Sequence, residues 1–72
     1  MQRIDLKTIL WQEGDHFVAQ CLNVDVSSFG SNKQEALDSL QEALELFFED
    51  ASTDQIQTVQ NPEIFTTSLA RA

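Results

Sequence analysis

The segment SNKQEALDSLQEALELFFED, residues 31–50, sets the strongest limit on what this chain can fold into. Wound as an α-helix, it places Ala36, Leu37, Leu40, Ala43, Leu44, Phe47 and Phe48 within an arc of roughly 140°. Glu35, Asp38, Glu42, Glu45 and Glu49 fall within roughly 80° on the opposite side. Ser31, followed three residues later by Gln34, has the spacing of a capping box that starts a helix. So wide an apolar stripe must be buried against another layer, and the remaining sequence offers strands for that layer.

Residues 2–12 alternate, with Ile4, Leu6 and Leu10 on one side and Arg3, Asp5 and Lys7 on the other, which is the period of a strand. Glu13 to Asp15 form a short turn in which Gly14 is free to take positive φ. HFVAQCL, residues 16–22, predicts a second strand and therefore an antiparallel hairpin, and VDVSSFG holds a third, shorter strand ending near Gly30. After the helix, STDQIQTVQN reads as a polar loop up to Pro62. EIFTTSLA, with its β-branched and aromatic residues, predicts a fourth strand over Glu63–Leu69. The order β-β-β-α-β defines an α+β domain, one helix packed on one face of a mostly antiparallel sheet, with residues 1–72 as a single domain.

Twelve acids against four Lys and Arg leave a net charge of −8. Phosphates attract bases and repel carboxylates, so this balance argues against direct nucleic-acid binding and against anionic membranes. A basic protein is the partner class that fits. No apolar run approaches the roughly 20 residues of a membrane span. The N-terminus lacks the basic start and long apolar stretch of a signal peptide, so a cytoplasmic protein is expected. The lone cysteine, Cys21, provides neither an internal disulfide nor a metal-ligand pair, and no cofactor is expected.

A search for catalytic groups meets a parity problem. His16 and Cys21 are five apart on one strand and point to opposite faces, which keeps the imidazole from the thiol it would have to activate. Cys21 reads as a small core residue and His16 as a surface residue beside the turn. Asp5 and Asp25 lie on neighbouring segments without a third acid placed beside them, as a two-metal site would require. Gly14 and Gly30 belong to a turn and a strand end rather than to a phosphate loop. The chain is not expected to be an enzyme.

Two surfaces remain as candidate interaction sites. Ile9, Trp11 and Val18 share the sheet face that a single helix leaves uncovered, and together with Phe65 in the last strand they form a candidate oligomer interface. The acid side of the helix is the other, formed by Glu35, Asp38, Glu42, Glu45 and Glu49, with Leu46 outside the core arc near Glu42, Glu35 and Ser39. A charged helix face serves either as a solvated exterior or as a surface that steers a basic partner.

The run GDHFVAQCLNVDVSSFGSNKQEALDSLQEALELFFED resembles the HicB-like antitoxin family. The resemblance rests on Phe17, Val18, Ala19 and Cys21 in the strand, on Gly30 closing the next strand, and on Glu35, Ala36, Leu37, Leu40, Glu42, Ala43 and Leu44 in the helix. It covers residues 10 to 50, and order and spacing together carry it. The resemblance implies a reduced ribonuclease-H-like domain without activity that binds and masks a HicA-like toxin. Such toxins are small, basic, double-stranded-RNA-binding-like ribonucleases that cleave messenger RNA. Family members often form homodimers or higher homo-oligomers. Many also carry a C-terminal operator-binding domain, for which this sequence leaves no room, so the resemblance is to a short form. The PGC turn common in the family is absent, replaced here by CLNVDVSSFG. The alternative is a stand-alone dimeric scaffold or regulatory protein that has no toxin partner.

Overall fold

The computed structural model describes residues 4–50 and 55–71. Three strands and one helix follow in the order β1 (Thr8–Glu13), β2 (His16–Cys21), β3 (Ser27–Gly30) and α1 (Lys33–Asp50). The strands form an antiparallel sheet in the order β1-β2-β3, and α1 packs across β2 and β3. The α+β architecture expected from the sequence is present.

The first hairpin closes on two residues, Gly14 and Asp15, between the paired ends Glu13 and His16. Gly14 sits at φ 58° while Asp15 keeps a negative φ, the combination of a type II′ turn that matches the twist of the strands. Register then fixes the faces. Leu10 pairs with Ala19 and Gln12 with Phe17, so these residues and Cys21 point toward the helix. A compact cluster of Ala19, Ala36 and Leu40 forms the centre of the core, with Leu10, Phe17, Val26 and Leu44 packed around it. Cys21 is buried as a core residue and His16 is exposed, as their parity requires.

The helix starts one residue later than the Ser31 cap predicts. Asn32 is the cap: its Oδ1 accepts from the Glu35 backbone N–H at 2.8 Å, and the Glu35 carboxylate accepts from the Ser31 N–H at 2.9 Å. Ser and Asn cap about equally well, so propensity does not choose between them. Close packing does. A Cβ on Gly30 would lie 2.6 Å from the Ala36 backbone nitrogen and 2.8 Å from Glu35, so the first turn of α1 rests directly on the end of β3. Leu37, placed by periodicity on the core side, lies toward the rim of the stripe and is exposed.

The first strand is shorter than its alternation suggests. Gln2 and Arg3 lie outside the described residues, and residues 4–7 stand outside the ladder, with the Lys7 carbonyl accepting from the Leu22 N–H at 2.9 Å. Buried Asn23 organises that region. Its Oδ1 accepts from the Lys7 N–H at 2.7 Å, its Nδ2 donates to the Gln57 carbonyl at 2.7 Å, and its carbonyl accepts from the Gln57 N–H at 2.8 Å. One amide thus ties the approach to β1 and the segment after α1 to the β2–β3 loop.

Residues 62–71, where a fourth strand is expected from composition, join no ladder among the described residues and are exposed along their length. The segment leaves the domain at Asn61, whose φ of 48° is one of the few left-handed positions a non-glycine residue accepts readily. Strand propensity needs an edge to pair with, and within the described residues this segment meets none.

Two substitutions test this account by chemical denaturation. Gly30→Ala should cost about 1–3 kcal/mol, because the helix must lift from the sheet to admit a methyl group. Asn23→Ala should cost about 1–3 kcal/mol for the part-buried bonds to the Lys7 N–H and the Gln57 carbonyl that are lost. Unchanged midpoints would show that neither contact holds the fold.

Candidate functional site

Two surfaces of opposite character lie on opposite sides of the domain. The first is the outer side of α1. Glu35, Asp38, Glu42, Glu45 and Glu49 are all exposed, and no Lys or Arg forms an ion pair with them among the described residues. Neutral neighbours hold some in place: the Gln34 amide donates to Asp38 at 2.8 Å and the Gln41 amide to Glu45 at 3.3 Å, each one helical turn along. Glu35 has a second duty in the cap described above. Leu46 stands in this acid field at 65% exposure, as its angle outside the core arc implies. The six residues expected from the sequence to form this face are therefore brought together on it.

The second surface is the sheet face turned away from the helix. Trp11 pairs with Val18, and Val18 in turn with Phe29, so three large apolar side chains form a row across all three strands. Ile9 stands on the same face, two residues before Trp11. Trp11 is partly exposed and Phe29 is 69% exposed. The His16 ring meets Phe29 edge-on with centroids 5.8 Å apart, and its Nε2 lies 4.0 Å from the Glu13 carboxylate. Ile9, Trp11 and Val18 are thus together as the sequence predicts, whereas Phe65 sits on the C-terminal segment and is exposed there.

Phe29 is the residue that sequence reasoning missed. The signal was present: Phe29 has the parity of Val18 once Gly30 is fixed as the partner of Phe17. Without the register, the faces of so short a third strand could not be assigned. Asn23 was missed for a different reason, since its three bonds join segments far apart in the chain.

Among the described residues, no group of three or more His, Cys, Asp or Glu is placed to hold a metal ion. None of their helices is long and apolar enough to cross a membrane. Asp25 lies exposed in the β2–β3 loop. The pairing of β1 with β2 places His16 on the open face and Cys21 beneath the helix, so the two cannot act on one substrate. What the described residues present is a pair of surfaces, one anionic and one apolar.

Comparison with protein-family models, with curated proteins and with solved structures finds no match to the chain.

If Leu46 serves contact rather than folding, Leu46→Ala should shift unfolding free energy by no more than about 0.5 kcal/mol. Leu40→Ala, at the buried centre of the same helix, should cost about 2–5 kcal/mol. Equal losses in thermal or urea melts would place Leu46 in the fold instead.

Proposed function

We propose that the protein is a HicB-like antitoxin that binds and masks a small, basic, HicA-like ribonuclease in the cytoplasm. The observation that carries this reading is the outer side of α1, where an exposed leucine stands among carboxylates that no base of the described chain neutralises. Carboxylates of that density raise the encounter rate with a cationic protein, and an exposed apolar side chain beside them slows its departure. The resemblance of residues 10 to 50 to the HicB-like pattern supports the same partner class. Gly30 and Ala36, two of the residues that carry it, are the pair whose close approach seats the helix on the sheet.

On this reading the chain performs no chemistry of its own. It acts by occupation: the acid face of α1 covers the basic RNA-binding surface and catalytic histidine of the toxin, and messenger RNA is excluded. A stand-alone dimeric scaffold is the second reading, favoured by the uncovered row of Trp11, Val18 and Phe29. The two diverge on whether a HicA-like protein is bound.

The test uses the small basic protein encoded beside this gene, co-expressed and then purified for binding. Neutralisation of its toxicity and a stable complex are expected. Changing Glu35, Glu42 and Glu49 together to Gln should slow association on the order of tenfold at low salt and flatten its salt dependence. Gln at position 35 can still accept the cap hydrogen bond, so the helix start is preserved. Leu46→Ala should leave association intact and speed dissociation by about 1–2 kcal/mol. The absence of such a neighbouring protein, or its failure to bind, would overturn the antitoxin reading. Parental kinetics in both variants would leave the acid face as solvated surface and move recognition elsewhere.

A further inference from the structure

The largest apolar side chains of the open sheet face form a single row, three strands wide. Val18 pairs with Trp11 on one side and with Phe29 on the other, so the three stand in line across the sheet. Trp11 at 39% and Phe29 at 69% exposure flank the smaller Val18. Two strand spacings of about 4.8 Å separate the two aromatic residues, roughly 9.6 Å in all. The next row along the strands is Ile9, Gln20 and Ser27, and the paired ends Glu13 and His16 follow on the hairpin side.

We propose that this row is a docking site for a polyproline II segment of another protein, with prolines one turn apart seated on Trp11 and Phe29. Spacing is the first argument. A polyproline II helix has three residues per turn and rises about 3.1 Å per residue, so like positions recur at roughly 9.3 Å. Lying across the strands, it sets one proline over the first ring of the row and the next over the second. Its carbonyls make no internal bonds, and the face supplies donors in the Trp11 indole N–H and the exposed Ser27 hydroxyl. Aromatic side chains are the surfaces on which such segments dock.

Size and charge favour this occupant over others. An α-helix buries a stripe more than one side chain deep, and the rows on both sides of this one are mostly polar. Nucleic acid and anionic membranes call for Lys or Arg, and none stands in these rows. So small a contact cannot offset a large ordering entropy, which favours a ligand already fixed in its bound shape. Proline fixes that shape through its ring. Charge adds a direction. Glu13 is exposed beside the row at the hairpin end, so of the two residues between the prolines, the one facing the hairpin is a lysine or arginine. The inference is independent of the toxin reading, since the acid side of α1 plays no part in the contact.

The experiment uses the full chain, so the exposed arm of residues 62–71 is present and can compete for the face. Trp11 is the only tryptophan, and its fluorescence reports directly on the site. The probes are short synthetic peptides with proline at every third position and one lysine per turn. Controls carry the same number of prolines at every second or every fourth position. The every-third peptide should bind on the order of tenfold more tightly than either control. Phe29→Ala, a change at an exposed position, should weaken its binding on the order of tenfold while circular dichroism remains that of the parent. Glu13→Gln should abolish the preference for lysine over glutamine between the prolines and leave the affinity of the glutamine peptide as it was. Fluorescence unmoved by any peptide, or equal affinity for the three spacings, would overturn the proposal. So would parental binding by Phe29→Ala, or tighter binding of a leucine-rich helical peptide, which would make the face a helix site. A lysine preference that survives Glu13→Gln would overturn the direction assigned to the charge.

Discussion

The close approach of the first turn of α1 to Gly30 is the contact on which the rest of the domain depends. With a Cβ at that position 2.6 Å from a backbone nitrogen, the helix can rest on the sheet only because β3 ends in glycine. Seated there, the helix brings Ala36 and Leu40 over Ala19, small against small and then large into the remaining space. The fully buried set is short, and Leu40 and Cys21 are its largest side chains. A core of that size leaves little margin, as expected for a chain of 72 residues, so losing one contact is felt throughout.

From that seating follows the division of the surface. A helix lying across β2 and β3 turns its carboxylates outward and leaves the far side of the sheet bare. Charge and apolar area are thereby sorted to opposite sides of a domain 21 Å across its thinnest dimension. Separation of this kind lets two different contacts coexist without competing. Exposed carboxylates act over about a Debye length and are weakened by salt, whereas an apolar row acts at contact and is insensitive to salt. The two surfaces therefore respond to different changes in the surroundings.

Much of this was legible in the sequence because it is periodic. The helix, its acid side, the exposed position of Leu46, the hairpin turn at Gly14 and the opposite faces of His16 and Cys21 all follow from counting residues at 3.6 or 2 per repeat. What the sequence hid was contact at a distance. Asn32 rather than Ser31 caps the helix because β3 dictates where α1 begins. Leu37 is exposed although its angle falls within the apolar arc, and Phe29 joins the open face through a register no local pattern reveals. The segment 63–69 has the composition of a strand, but composition supplies no neighbour to pair with.

Asn23 gives the domain a mechanical property. Its amide bonds Lys7, which leads into β1, and Gln57, a few residues before the arm. A pull on the C-terminal segment is therefore delivered through one residue, by its backbone carbonyl and its side chain, to the approach to the first strand. Opening that latch would remove the side-chain bonds to Lys7 and Gln57, while the backbone bonds Gln57 N–H to Asn23 and Leu22 N–H to Lys7 would remain. The tail is thus moored to the front of the first strand through one residue of the β2–β3 loop, while the six-residue ladder with β2 holds that strand in the sheet.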